Sequence, residues 1–370
     1  VGSNKIKMKY IKGFDGLRCY SILLVIITHL GIANNFEVGS YLRDHVFYFF
    51  SGSAGVNIFF AISGFLITTL ILNEISQTGK LNVKYFFFRR FLRLLPPIIP
   101  FYIALFIFMK LGYVRNTTIG LLASVFYLFN FVPKAKIAFS TELSHTWSLA
   151  VEEQFYILWA FVFSYFNENK RYLIIFFLLI LCIIGYFVLP SIPVIIKEQQ
   201  YQLEEVFFVI RWTIPAIAPI LLGALFATLN FNNYKNIRIR FSGLKPGIIS
   251  FVVFLSPFYL NDSLMPLIKL FHGLGATLIL LWIYNNQSSG IIKVLEWFPI
   301  KYIGVISYGL YIWQGFFLRS GPNATPKIWV HEFPYNVILA FLVAILSYEL
   351  FEKKVLRLKR KYKITTTNKT

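Results

Sequence analysis

Tyr172-Leu173-Ile174-Ile175-Phe176-Phe177-Leu178-Leu179-Ile180-Leu181-Cys182-Ile183-Ile184-Gly185-Tyr186-Phe187-Val188-Leu189 contains no charged side chain. A helix needs about 20 mainly apolar residues to cross the hydrocarbon core of a bilayer, and this run has the length and composition for it. The rest of the chain shares the bias. Of 370 residues, 57% are hydrophobic and 14% charged, with a mean hydropathy of +0.65. A soluble domain holds about 45–50% apolar and about 25% charged residues. The 41 Phe and 22 Tyr exceed what a soluble core of this length needs. This composition excludes a disordered chain. Cys19 and Cys182 are too few for a disulfide scaffold and read as apolar fillers on helices.

Ten more stretches accompany 171–189, at 17–33, 45–72, 94–111, 117–132, 148–166, 207–229, 243–260, 268–285, 301–319 and 335–352. Between them the basic residues gather in short runs. Lys5, Lys7, Lys9 and Lys12 open the chain. Loop 73–93 has Lys80, Lys84, Arg89, Arg90 and Arg93; loop 230–245 has Lys235, Arg238, Arg240 and Lys245; the tail after Glu352 carries eight Lys and Arg. Such runs mark the cytoplasmic side of a membrane protein. Loop 190–206, with Glu198, Glu204 and Glu205 against Lys197, reads as external. Eleven crossings cannot put both the basic start and the basic tail inside. Ten can, if the short segment 117–132 is re-entrant or interfacial. The expected fold class is therefore all-α: a polytopic transmembrane bundle of about ten crossings plus one short re-entrant or interfacial segment, both termini cytoplasmic.

Other readings fail on the same distribution. A net charge of +20 invites nucleic acid, but no zinc-finger spacing, Walker motif or dinucleotide fingerprint is present, and the basic residues lie in the loops. Arg18 and His29 interrupt the first apolar stretch, and no small-residue cleavage pattern follows, which argues against a signal peptide. Val1-Gly2-Ser3 reads as a cloning remnant. The longest loop is about 20 residues, so chemistry is expected within the bundle. Pro215, Pro219 and Gly223 should kink or break segment 207–229. No internal repeat supports a transporter built from paired halves, although a transporter of lipid-linked glycan or small solute is the alternative class.

Three charge clusters stand where a membrane span should have none. Arg18 and His29 are eleven positions apart, about 20° beyond three helical turns and about 16 Å along the axis, so both project from one face. A snorkelling Arg and a core His are the plainer alternatives; together the pair suggests a held anion and a proton acceptor. Asp15 could brace Arg18. Arg89, Arg90 and Arg93 fall at i,i+3 and i,i+4 spacing beside Pro96 and Pro97, a guanidinium patch suited to phosphate. His145-Thr146-Trp147-Ser148-Leu149 leads into Glu152, Glu153, Gln154, Phe155 and Tyr156, either a capped helix start or a sugar-binding face. Small residues at Gly55, Asn57, Ser63 and Gly64 allow close helix approach. Arg211 within a span needs a partner or an aqueous cavity, and Tyr308, Tyr311 and Gln314 place polar groups in another. His45, His272 and His331 lack metal-ligand spacing, so no metal site is expected.

In their order and spacing these elements resemble the acyltransferase-3 family of integral membrane O-acyltransferases. The matching residues are Phe14-Asp15-Gly16-Leu17-Arg18 with His29; Gly55 to Phe60 with Ser63-Gly64-Phe65-Leu66; Arg89, Arg90 and Arg93; Thr146 to Leu149 with Glu152 to Tyr156; and Ser307-Tyr308-Gly309-Leu310-Tyr311. Asn57 departs from the pattern, standing where many members have Asp. The chain is similar to the stand-alone membrane form, without the fused esterase-like domain, with residues 13–353 as one transmembrane acyltransferase domain and 354–370 as a basic cytoplasmic tail. The resemblance implies an enzyme of the bacterial inner membrane. It would move an acyl group, usually acetyl, from acyl-CoA in the cytoplasm to a hydroxyl of a lipid-linked envelope carbohydrate such as O-antigen or exopolysaccharide. Peptidoglycan, periplasmic glucan or a small-molecule hydroxyl are the alternative acceptors. It further implies His29 and Arg18 as catalytic and Arg89, Arg90 and Arg93 as donor-binding; Glu152 and Glu153 are candidate assisting residues, and Arg18 is a further candidate donor contact. Trp147, Ser148, Asn57, Tyr308 and Gln314 are the candidate acceptor-binding residues.

Overall fold

A computed structural model describes residues 10–31, 37, 41, 50–115, 118–196, 198–232, 234–259, 265–318 and 329–361. Helix α1 (Phe14–His29) carries both Arg18 and His29. Helix α2 (Gly52–Thr78) begins at Ser51, whose Oγ accepts the Ala54 N–H, and ends at Gly79 with φ +78°, the left-handed geometry glycine adopts without strain. Helix α3 (Val83–Lys110) starts on the Asn82 cap and runs through Pro96, Pro97 and Pro100. Helix α4 (Thr118–Val125) has eight residues, about 12 Å long and too short to cross a bilayer.

After the one-turn α5 (Lys134–Ile137) come α6 (Thr146–Tyr165) and α7 (Glu168–Val188). The strands β1 (Pro193–Ile196) and β2 (Gln199–Gln202) form an antiparallel hairpin where the sequence suggested only a loop. One-turn helices α8 (Leu203–Val206) and α9 (Thr213–Ala216) precede α10 (Ala218–Asn232). Segment 207–229 is thus broken around Pro215 and Pro219, as their missing N–H donors require. Then follow α11 (Tyr234–Arg240), α12 (Leu244–Leu255), α13 (Met265–Asn285), α14 (Gly290–Leu295), α15 (Phe298–Phe317) and α16 (Tyr335–Ser347). A π turn (Tyr348–Glu352) leads into α17 (Lys353–Lys361).

Glycines set the centre of the bundle. A Cβ at Gly64 of α2 would collide with the Ile220 carbonyl of α10, and one at Gly223 of α10 with the Ala61 carbonyl of α2. A Cβ at Gly55 would stand 2.6 Å from the Ser21 carbonyl of α1, and one at Gly304 of α15 would strike the Asp15 carbonyl. Backbone-to-backbone contact of this kind is how helices associate where burial from water drives nothing. It places α15, α1, α2 and α10 side by side, with α13 packed on α2 and α10.

Among the described residues, four helices are long and apolar enough to cross a membrane, Gly52–Thr78, Val83–Lys110, Glu168–Ser191 and Tyr335–Arg357, joined by shorter apolar helices over Ala218–Asn232, Leu244–Phe258 and Leu270–Asn285. The most apolar window of the first is 78% buried and that of Glu168–Ser191 only 22%, so α2 is central and α7 peripheral. Leu173, Phe176, Phe177, Ile180, Ile184 and Phe187 of α7 face outward while Ile175, Leu178, Cys182 and Tyr186 face in. A helix apolar on both faces belongs in lipid. The protein is an all-α membrane protein with one small hairpin.

Several boundaries differ from the hydropathy reading. Stretch 73–93 is mostly helix, the ends of α2 and α3 joined by a short turn at Gly79–Asn82, so the arginine cluster lies on α3 itself. Charge ends an apolar window but not a helix. The second stretch is helical from Gly52 onward, and 42–49, with His45, lie outside the described residues.

Candidate active site

A cavity of about 340 Å³ opens between α1, α2, α3, α6 and α15. Tyr10, Asp15 and Arg18 line one end, and Ser148 and Tyr311 line the cavity deeper along α6 and α15. Arg90, Arg93, Glu152 and Tyr156 supply polar wall, while Val56, Phe59, Ile62, Leu66 and Leu70 of α2 supply apolar wall. Three guanidinium groups thus converge on one cavity from two helices that are distant in sequence.

Their environments differ. Arg18 Nη1 donates to Asp15 Oδ1 at 2.8 Å, one turn away on α1. Arg90 lies over the Tyr156 ring, 3.7 Å from its centroid, and 4.0 Å from Glu153 Oε1; a desolvated cation–π contact of this kind contributes about 2 kcal/mol. Glu152 interacts electrostatically with Arg90, Arg93 and Arg18. The Tyr156 hydroxyl is hydrogen-bonded to Ser63 Oγ. Among the described residues Arg93 makes no ion pair within 4 Å. It lines the cavity as a cation without a carboxylate of its own.

Arg89 is set apart. Its Nη2 lies 2.5 Å from Glu74 Oε2, and Glu74 Oε1 accepts the Asn82 N–H at 2.9 Å. Glu74 therefore ties Arg89 to the α2–α3 turn, and Arg89 is not among the residues lining the cavity. Glu153, Trp147, Asn57 and Gln314 are also outside the lining, whereas Ser148 and Tyr308 belong to it.

Ser148 Oγ pairs with the Tyr311 hydroxyl at 2.5 Å, and both approach the His145 carbonyl at 3.1 Å. His145 is buried with its ring edge-on to Phe101 and Tyr311. His29 stands beyond this end, in electrostatic contact with Arg211 and His145, and does not itself line the cavity. Its Nδ1 is 2.8 Å from the Val25 carbonyl. A carbonyl only accepts, so Nδ1 carries the proton and a neutral ring keeps its Nε2 lone pair. Arg211 lies over the Trp147 ring at 5.4 Å, answering its need for a partner. Trp147 also meets Phe60 edge-on.

Asn57 and Gln314 are buried. Among the described residues, the Asn57 amide nitrogen and both Gln314 amide atoms have no hydrogen-bond partner. Residues that sequence reasoning passed over are Glu74, Tyr10 and Glu296. Glu74 ends an apolar stretch and carried the signal of a lone acid beside a basic run. Tyr10 and Glu296 carried none, because the pairing spans 286 residues. Among the described residues no group of three or more His, Cys, Asp or Glu converges to hold a metal.

Residues 11–351 match the family model described as an acyltransferase domain. A candidate O-acetyltransferase of Staphylococcus aureus (strain COL) is 30% identical over 367 residues, covering 94% of this chain and 57% of that protein. The O-acetyltransferase OatA of Staphylococcus aureus (strain NCTC 8325 / PS 47) is 28% identical over 370 residues, with the same coverage of each chain. The chain thus spans a little over half the length of these relatives. No solved structure matches. Family match, helical membrane architecture and a cavity inside the bundle lined by three arginines agree: the chain belongs to the acyltransferase-3 family of membrane O-acyltransferases.

Proposed function

We propose that the protein takes an acyl group, most simply acetyl, from acyl-CoA at the cytoplasmic face and transfers it to a hydroxyl of a cell-envelope carbohydrate. The single observation that carries this reading is the cavity whose wall holds Arg18, Arg90 and Arg93, with Arg93 in no ion pair within 4 Å among the described residues. Guanidinium forks bind phosphate oxygens through paired, charge-assisted bonds. The nucleotide end of the donor is held by these residues, with the bundle oriented as ten crossings and both termini inside, and its thioester arm extends along α1 towards His29.

In the transfer step, His29 Nε2 takes the proton of the acceptor hydroxyl as that oxygen attacks the thioester carbonyl. The C–O bond forms, the C–S bond breaks, and the departing thiolate recovers the proton from the imidazolium. The Nδ1–H bond to the Val25 carbonyl supports this role by fixing the tautomer. Trp147, under Arg211, and Ser148, bonded to Tyr311, hold the acceptor side. Glu152 balances the charge of the arginines between turnovers.

The relatives named as O-acetyltransferases support acetyl as the group moved. The test is release of free CoA thiol from acetyl-CoA by the purified protein in nanodiscs, with and without a glycan acceptor. Acceptor-dependent release paired with a gained acetyl mass on the glycan is the expected result. Thiol release that ignores the acceptor would remove the transfer step.

A further inference from the structure

Tyr10 precedes α1 and lines the cavity beside Asp15 and Arg18. Its hydroxyl oxygen is 2.9 Å from Asp15 Oδ2 and 2.9 Å from Glu296 Oε1. A phenol carries one proton, so it donates to one of these carboxylates at a time. The other oxygen of Asp15 already holds Arg18 at 2.8 Å. Glu296 is anchored independently: the Gly13 N–H donates to it at 2.7 Å and Lys301 Nζ at 2.8 Å. Lys301 also sits 4.6 Å from the centroid of the Tyr10 ring. The result is a continuous chain, Lys301–Glu296–Tyr10–Asp15–Arg18, with two cations and two carboxylates in balance around one shared hydroxyl proton.

Protonation agrees with this geometry. Burial, then the Asp15 and Glu296 carboxylates, push the Tyr10 phenol pKa up, so the hydroxyl keeps its proton. Burial alone would raise Glu296, but bonds from Lys301, Gly13 and Tyr10 hold its carboxyl below the usual range. Asp15 is only 8% exposed. If a ligand phosphate draws Arg18 away, Asp15 becomes a buried carboxylate without its cation, a costly state unless another donor replaces it.

We propose that Tyr10, held by Glu296, is a positioning residue for Arg18: its hydroxyl turns to Asp15 when a phosphate of the donor takes the Arg18 guanidinium. The proposal rests on the acyl-CoA reading above. Tyr10 thereby offsets the loss of the Asp15–Arg18 pair and makes Arg18 available without stranding a buried charge.

The test uses the full chain in nanodiscs with acetyl-CoA as probe. Tyr10→Phe keeps the ring and removes the proton. It should raise the Kd and KM for acetyl-CoA roughly tenfold, the equivalent of one hydrogen bond to a charged group. The kcat at saturating donor should stay at the wild-type value, while the Tm falls by a few degrees with the loss of the hydroxyl's bonds to Asp15 and Glu296. In an Asp15→Asn background, where residue 15 no longer carries a charge for the hydroxyl to offset, Tyr10→Phe should weaken the donor no further. Wild-type donor affinity in Tyr10→Phe, additive effects on donor affinity with Asp15→Asn, or a fall of kcat at saturating donor would each overturn the proposal. Wild-type protein that fails to bind acetyl-CoA would overturn the donor reading itself, a result distinct from wild type that binds and Tyr10→Phe that matches it.

Discussion

Two neighbouring arginines give the sharpest separation of roles. Arg93 lines the cavity and, among the described residues, makes no ion pair within 4 Å, whereas Arg89 is paired with Glu74 at the α2–α3 turn. On the proposed acyl-CoA reading, replacing Arg93 by Gln removes a charge-assisted contact to the donor phosphate, worth about 1.5–3 kcal/mol. Acetyl-CoA should therefore bind about 10- to 150-fold more weakly. Replacing Arg89 by Gln removes an ion pair whose side chains are 27% and 8% exposed. Its loss lies between that of a surface pair and that of a buried one, about 1–2 kcal/mol of stability, partly offset because Glu74 keeps the Asn82 N–H. Donor affinity should stay within about twofold while Tm falls by a few degrees. Calorimetric titration of acetyl-CoA into nanodisc samples, run beside thermal unfolding, reads both quantities. Equal weakening of the donor by both substitutions would refute the division of labour drawn from the cavity.

Two further predictions concern the frame of the site. A Cβ at Gly304 would strike the backbone of Asp15, so Gly304→Val should push α15 off α1 and abolish monodisperse protein in detergent, while Gly290→Ala, with nothing within 4 Å, should behave as wild type; size-exclusion profiles decide. The lowered carboxyl pKa of Glu296 predicts a pH signature. Stability from this carboxylate is present above the ordinary carboxyl value of about 4.3 and is lost as pH falls through the lower folded value. Wild type should therefore lose more Tm than Glu296→Gln below that range, and parallel curves would deny the linkage.

What the chain revealed before its fold was known follows from range. Membrane class, the break at Pro215 and Pro219, the shared helix of Arg18 and His29, and the small-residue faces at Gly55 and Gly64 are local patterns, set by helix period and residue size. The bracing of Arg18 by Asp15 is also local, at i,i+3. Arg89, Arg90 and Arg93 looked equivalent because spacing along a helix says nothing of what stands opposite. Glu74 and Tyr156 decide between them, and each reaches the cluster from another helix. Trp147 and Gln314 illustrate the same limit: one packs under Arg211, the other is buried off the cavity wall. The hairpin over Pro193–Gln202 escaped because a short external loop carries little hydropathy signal.

The measurement that bears most directly on the central claim is transfer by His29→Ala protein, with acetyl-CoA binding recorded on the same sample. The imidazole as proton acceptor predicts donor affinity close to wild type and acetyl transfer to the glycan reduced by about 10²–10⁴-fold. Near-normal transfer by that variant would contradict the assignment and move the proton to another group.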